Sequence, residues 1–207
     1  MSQEVSMIMK QMDQTSIEMN LISQCAPLLA GLKTSNLFMI ANEQVVKSIA
    51  LLKQSGISYY FLMKGARKST FLLYRNDLMS EYLQDSKVQE YLMAAGYQDM
   101  RLISMLSVLQ KRYQAYRRGQ SQVFPHELGI FLGYPLEDIL GFIEDGGKNP
   151  LYTGYWKVYD HLSVKIRLFQ AYEDAKETMI QLLYYGAGFM DVIESYAKGL
   201  VIRTGGR

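Results

Sequence analysis

The sequence predicts an α+β domain, mostly helical, with a small antiparallel sheet of about three strands. Three observations predict it. Residues 57–64 and 69–74 are rich in aromatic and branched side chains and flank Gly65-Ala66-Arg67-Lys68, the pattern of a β-hairpin. A two-stranded hairpin is marginal by itself in water, so a further strand is expected, and Tyr152 to Tyr159 has the composition for it. Around these segments, apolar residues recur at helical spacing in about eight stretches bounded by capping residues or glycine.

The 207 residues are enough for one domain with its own core, needing no disulfide or structural metal. The expected division is an amphipathic N-terminal helix over 1–23, one α+β domain over 24–185 and a helical extension over 186–207. Lys and Arg total 22 against 20 for Asp and Glu, a net charge of +2. So balanced a chain is not built mainly to coat nucleic acid. One cysteine, Cys25, allows no intrachain disulfide. Met1 to Asn20 mixes Met and Ile with polar residues and lacks the apolar core of a signal peptide, and no run of about 18 apolar residues follows. The expectation is a cytoplasmic protein without a membrane span.

Residues 3–22 carry Val5, Ile8, Met9, Met12, Ile17, Met19 and Ile22 at broken helical spacing. This predicts one Met-rich helix, either lying on the core or docking on a second subunit as a homodimer arm. Pro27 suits the first turn of the next helix, which would put Cys25 at a helix N-terminus, where the macrodipole lowers a thiol pKa. Thr34 or Ser35 is expected to cap a longer helix through Leu37, Phe38, Ile40, Val45, Ile49 and Leu52, stopped by Gly56. After the hairpin, Asn76 or Asp77 starts a helix over 78–84, and Asp85 or Ser86 starts another that Gly96 closes. Asp99 caps a third, from about Met100 to Arg118. Its basic end, Lys111, Arg112, Arg117 and Arg118, either complements the helix dipole or offers a tyrosine-lined surface to a phosphate-bearing partner.

Residues 124–143 then turn two short helices sharply on each other. Pro125 starts the first, Gly133 stops it, and Pro135 holds Tyr134 extended and starts the second. The layout has the look of a helix-turn-helix, but Glu137, Asp138, Glu144 and Asp145 would be repelled by phosphates, which argues against DNA reading. Gly146-Gly147 end the second helix. Asp160 or Ser163 caps a long helix to about Tyr184, Gly186-Ala187-Gly188 breaks it, and Phe189 to Ile202 forms the last.

Cys25-Ala26-Pro27, Leu29-Ala30-Gly31 with Lys33, Phe124-Pro125-His126-Glu127, Phe131-Leu132-Gly133-Tyr134-Pro135, Glu137-Asp138 with Gly141-Phe142-Ile143, and Trp156-Lys157-Val158-Tyr159 occur in that order. Together they resemble the motifs of a bacterial family catalogued as domain of unknown function 3793. The resemblance covers about residues 20–184 and leaves out the first helix and the segment after Gly186. It implies a prokaryotic cytosolic protein, suggests a link with redox or iron homeostasis, and assigns no activity.

Three chemistries can be drawn from the polar residues. In a thiol enzyme, Cys25 would be the nucleophile, His126 its base and Glu127 the group that orients the imidazole, with Lys33 or Arg75 holding an anionic substrate group. In a binding module, the Phe124-Pro125-His126-Glu127 turn, Tyr134, Arg75, Trp156 and Lys157 would line one pocket between the small sheet and the helices, for a small anion, a nucleotide or a flavin ring, or else meet a protein partner. Gly146-Gly147-Lys148 lacks the full phosphate-loop pattern. A metal or haem site would draw on His126, His161, Cys25 and Glu127, whose spacing matches no common closed zinc site. The binding module is the preferred reading, no motif fixes a cofactor, and a metal is not expected.

Overall fold

The computed structural model describes residues 2–197. Its elements are α1 (Gln3–Gln11), α2 (Ile17–Leu29), β1 (Ser35–Ala41), α3 (Val45–Gln54), β2 (Ser58–Lys64), β3 (Lys68–Tyr74), α4 (Asn76–Leu83), α5 (Ser86–Ala94), α6 (Leu102–Arg117), α7 (Leu128–Phe131), α8 (Leu136–Glu144), β4 (Tyr152–Thr153), β5 (Lys157–Val158), α9 (Leu162–Tyr184) and α10 (Phe189–Ala197). The class is α+β, as expected.

The predicted hairpin is β2–β3, and β3 is the middle strand of an antiparallel sheet in the order β1-β3-β2. Successive side chains of a strand point to opposite faces, so β3 serves two cores. Phe71 and Leu73 pack with α1, α2, α3, the far half of α9 and α10. Leu72 and Tyr74 pack with α4, α5, α6, α7 and Ile139 of α8. A third, smaller cluster joins Trp156 and Val158 to Phe169 and Tyr172 of α9. The 23 residues of α9 span about 34 Å, enough for one end to serve this cluster and the other the first core.

Helix-borne glutamines cover both sheet edges. The Gln24 amide from α2 accepts from Met39 N and donates to Met39 O on β1, at 2.9 and 3.1 Å. From α6, Gln110 and Gln114 donate to Phe61 O and Leu62 O on β2, at 2.7 and 2.6 Å. Each amide substitutes for a missing strand at groups that would otherwise invite another chain.

Four local expectations are corrected. The third strand is β1, not residues 152–159; the latter fold on themselves, pairing Tyr152 with Val158 and Thr153 with Lys157. Residues 35–41 are a strand rather than the start of a helix, because their apolar run pairs with β3 from Ser35–Tyr74 to Ala41–Lys68; the helix begins at Val45, after a 3-10 turn over Asn42–Gln44. Residues 3–22 are not one helix. Asp13 Oδ1 accepts from the backbone and hydroxyl of Thr15, and Ser16 Oγ then caps α2 through Met19 N. Pro27 lies in the last turns of α2 instead of its first, and Cys25 with it, so that thiol has no helix N-terminus beside it.

The first helix packs on α9, with Val5 and Ile8 buried in the chain's own core. Asp85 caps α5 through Lys87 N and Val88 N, and Gly56, Gly96 and Gly133 take positive φ at helix ends. The final helix starts at Phe189 as expected; the part of it placed at 198–202 lies outside the described residues. Among the described residues no helix is long and apolar enough to cross a membrane.

Candidate functional site

The folding of residues 124–143 creates a cleft. Gly133, at φ 68°, ends the turn after α7, and Pro135 caps α8 in extended conformation. Tyr134 between them is pinned by its backbone: its N donates to Gly129 O at 2.9 Å and its O accepts from Tyr82 Oη at 2.5 Å. The β4–β5 hairpin lies opposite and brings in Trp156 and Lys157. The Trp156 ring stacks on Tyr134, with centroids 5.0 Å apart and planes at 28°.

Trp156 is held by Asp138, the third residue of α8 and only 2 % exposed. Asp138 Oδ2 accepts from Trp156 Nε1 at 2.7 Å, and Oδ1 accepts from Tyr159 N and Asp160 N at 2.8 and 3.1 Å. Buried Lys165 of α9 donates to Glu137 Oε1 at 2.7 Å and lies 3.5 Å from Asp138 Oδ2. A carboxylate in the first turn of a helix is favoured by the dipole, and here it is also satisfied by hydrogen bonds, as a buried charge must be. This network ties α8 to β5 and α9 and fixes the indole in the cleft wall.

The cleft has a volume of about 240 Å³. Phe124, Tyr134, Phe142 and Trp156 supply its aromatic lining, and His126 and Lys157 stand at it as well. His126 packs between Phe124 and Phe142, at centroid distances of 5.4 and 5.7 Å. Lys157 Nζ donates to Gly147 O at 2.6 Å and lies 5.7 Å from the Phe142 ring centroid. Such a lining, rings with few polar groups, suits an apolar or planar aromatic ligand.

Four of the eight residues singled out in the sequence therefore share the cleft: His126, Tyr134, Trp156 and Lys157. The other four do not line it. Glu127 turns to α6, accepting from Arg112 Nη1 at 2.7 Å and Tyr97 Oη at 3.3 Å. Arg75 donates Nε and Nη2 to Leu28 O and Leu29 O at 2.8 and 2.7 Å, closing the C-terminal end of α2. Lys33 is buried, bonds Asn36 Oδ1 at 2.9 Å and lies 5.3 Å from the Tyr134 ring centroid; burial lowers its pKa to about 8. Cys25 belongs to the first core, with Asn36 Nδ2 at 3.6 Å from its sulfur, and burial pushes its thiol up to about 12. His161 is exposed beside Asp160, its Nδ1 2.9 Å from Oδ2. Among the described residues no three His, Cys, Asp or Glu side chains gather where they could hold a metal ion.

Sequence reading missed Asp138 and Lys165. In the sequence Asp138 is one of four acids on the second helix of the turn; its position three residues after Pro135 signals a first-turn carboxylate, but nothing local announces the indole it receives. Lys165 carries no sequence signal.

No curated protein and no solved structure matches the chain. One family model does, over residues 21–193, from α2 into α10, and it takes in every residue of the cleft. The chain belongs to the family described as "Protein of unknown function (DUF3793)".

Proposed function

We propose that this protein is a cytoplasmic accessory module that binds a small molecule with a planar aromatic ring in the cleft between α7–α8 and the β4–β5 hairpin. The observation that carries the reading is the convergence of Phe124, His126, Tyr134, Phe142 and Trp156, from the α7–α8 turn and the β4–β5 hairpin that follows it, around one cavity. Ring-on-ring contact rewards an aromatic ligand beyond the area it buries. Asp138 and its donors supply rigidity, since Trp156 cannot rotate without breaking a buried hydrogen bond. If the ring is a flavin, the module would also have the redox connection that the family resemblance suggests.

The alternative is a thiol-dependent enzyme with Cys25 as nucleophile and His126 as base. It requires a thiolate within reach of the imidazole. Cys25 is fully buried in the core formed by α2 and β1, its thiol is held protonated by burial, and the cleft lined by His126 does not include it. These observations favour binding over thiol chemistry.

Trp156 is the chain's single tryptophan and reports directly on the cleft. Titration with adenosine, AMP, riboflavin and FMN is expected to quench its emission with at least one of them. The same compound should raise Tm, since a ligand that binds only the native state adds about 2.7 kcal/mol at a hundred times Kd. Phe142→Ala should weaken that binding. A panel that changes neither emission nor Tm would refute the reading.

A further inference from the structure

Phe124 is the wall between two cavities. On one side is the aromatic cleft; on the other is a space of about 380 Å³ lined by Arg112, Ala115, Ser121, Pro125 and Glu127, among others. Tyr116 and His126 contact the Phe124 ring edge-on at 5.2 and 5.4 Å, yet the residue is still 36 % exposed and sits in a segment without regular structure. A partly exposed side chain of this kind changes rotamer quickly. By itself the cleft, at about 240 Å³, is smaller than the roughly 300–1,000 Å³ of most small-molecule sites, whereas the two spaces joined fall within that range.

The second cavity differs in chemistry. Its charged pair is lopsided: the Glu127 side chain is 8 % exposed and that of Arg112 37 %. The guanidinium is the more exposed of the two, so an incoming group meets it before the carboxylate, whose Oε1 already accepts from Arg112 and Tyr97. Arg112 also donates Nη2 to Ala95 O at 2.8 Å, which fixes its plane and still leaves N–H donors over. Lys111, Arg117 and Arg118, all exposed on the same end of α6, add positive potential.

We infer that the two cavities form one bipartite site for a mononucleotide-like ligand, its planar ring in the cleft and its phosphate against Arg112. The inference rests on the proposed ring-binding cleft and goes further by naming the anionic half. Adenine and flavin nucleotides share this chemistry, and matched pairs separate them.

The test titrates the full chain at low salt with riboflavin against FMN and with adenosine against AMP, reading Trp156 emission. In at least one pair the phosphate form should bind about tenfold tighter, as expected for charge-assisted bonds to a partly exposed arginine, and the advantage should shrink as salt is raised. Replacing the pair together, Arg112→Gln with Glu127→Gln, leaves no buried carboxylate unpaired and should abolish the difference within that pair. If that variant does not fold, Ser121→Glu, which puts a negative charge in the second cavity, should reduce the phosphate advantage. Equal affinity within both pairs overturns the inference while the ring-binding cleft stands. So does an advantage that survives these variants, or one that is lost on Lys157→Gln alone. Failure of all four compounds to bind overturns the cleft reading and this inference with it.

Discussion

Asp138 Oδ2 accepts a hydrogen bond from the indole of Trp156 at 2.7 Å, while Oδ1 takes two backbone N–H groups of the following chain. One carboxylate thus seats the cleft's tryptophan and anchors the start of α9. Asp138→Asn keeps the shape but removes the charge, and its NH₂ group must face one of the donors. The expected cost is about 2–4 kcal/mol, the range for breaking a buried charged network. Urea unfolding followed by Trp156 emission measures it, and the native spectrum should shift to the red as water reaches the indole. A loss below about 0.5 kcal/mol would mean that the network holds neither the hairpin nor the ring.

Gly141 offers a test of sign. It lies inside α8, where alanine is ordinarily the better residue by about 1 kcal/mol. A Cβ there would stand 2.6 Å from Tyr159 Cβ and 2.7 Å from its Cγ. Tyr159 cannot retreat freely, because its N is bonded to Asp138. Gly141→Ala should therefore destabilise by about 1–3 kcal/mol, against the propensity trend. Gly56→Ala is the contrasting case: open space, but φ at 70°, so only the left-handed penalty of about 1–2 kcal/mol is expected. A rise in Tm for Gly141→Ala would contradict the close packing of α8 on Tyr159.

The sequence carried the hairpin, the glycine stops at Gly56, Gly96 and Gly133 and the sharp turn at Gly133-Tyr134-Pro135, since each depends on local chemistry. Capping oxygens were less legible: Asp85 caps α5, but α6 and α9 begin after Arg101 and His161 with no side-chain cap, where Asp99 and Asp160 or Ser163 are expected. The sequence did not carry β1. Leu37-Phe38-Met39-Ile40-Ala41 is a short apolar run, and periodicity cannot tell such a run in a strand from one in a buried helix. The pairing with β3, some thirty residues away, decides the matter, and no local signal reports it. Pro27 misled for the same reason. A proline favours a first turn, yet here its carbonyl receives Leu32 N and Lys33 N and Arg75 secures the carbonyls beside it.

Half of the candidate site was legible as well. Aromatic residues and a histidine around a proline turn mark a place where the chain bends and rings gather, which singles out His126 and Tyr134. Arg75, Glu127 and Lys33 stand out in the sequence by their charge. Charge alone does not tell a ligand-facing group from one that closes a helix, pairs with an arginine or sits in a core.

Cys25 should be inert in the native protein. Its sulfur is enclosed and burial holds the thiol up at about 12. At pH 8 an aromatic disulfide reagent should label it at least about a hundredfold more slowly than in urea, with the native rate following the opening of the core. Fast labelling of folded protein would put the thiol enzyme ahead of the binding module.

Lys33 and Cys25 together give stability an unusual dependence on pH. Both are buried, and Asn36 touches both: Lys33 Nζ donates to its Oδ1, and its Nδ2 faces the sulfur of Cys25. Burial lowers the lysine from 10.5 to about 8, so between those values the unfolded chain holds a proton that the folded one has released. Stability must then rise with pH across that window. Burial raises the thiol from 9.0 to about 12, so there the folded chain keeps a proton that the unfolded one loses, and stability must fall. The two effects oppose each other between pH 9.0 and 10.5, which leaves a net gain only from about 8 to 9. Urea midpoints should climb over that unit of pH, level off, and then decline as the thiol and the buried tyrosines of the unfolded state ionise. Lys33→Met, which removes the buried ammonium and keeps the stem, should erase the climb and raise stability at pH 7 by about 1–3 kcal/mol. Cys25→Ala should leave the climb in place and extend it toward 10.5, at the cost of a small cavity. A wild-type profile flat from pH 7.5 to 9, or a Lys33→Met protein that still gains stability over that range, would show that the ammonium is not confined as its surroundings require.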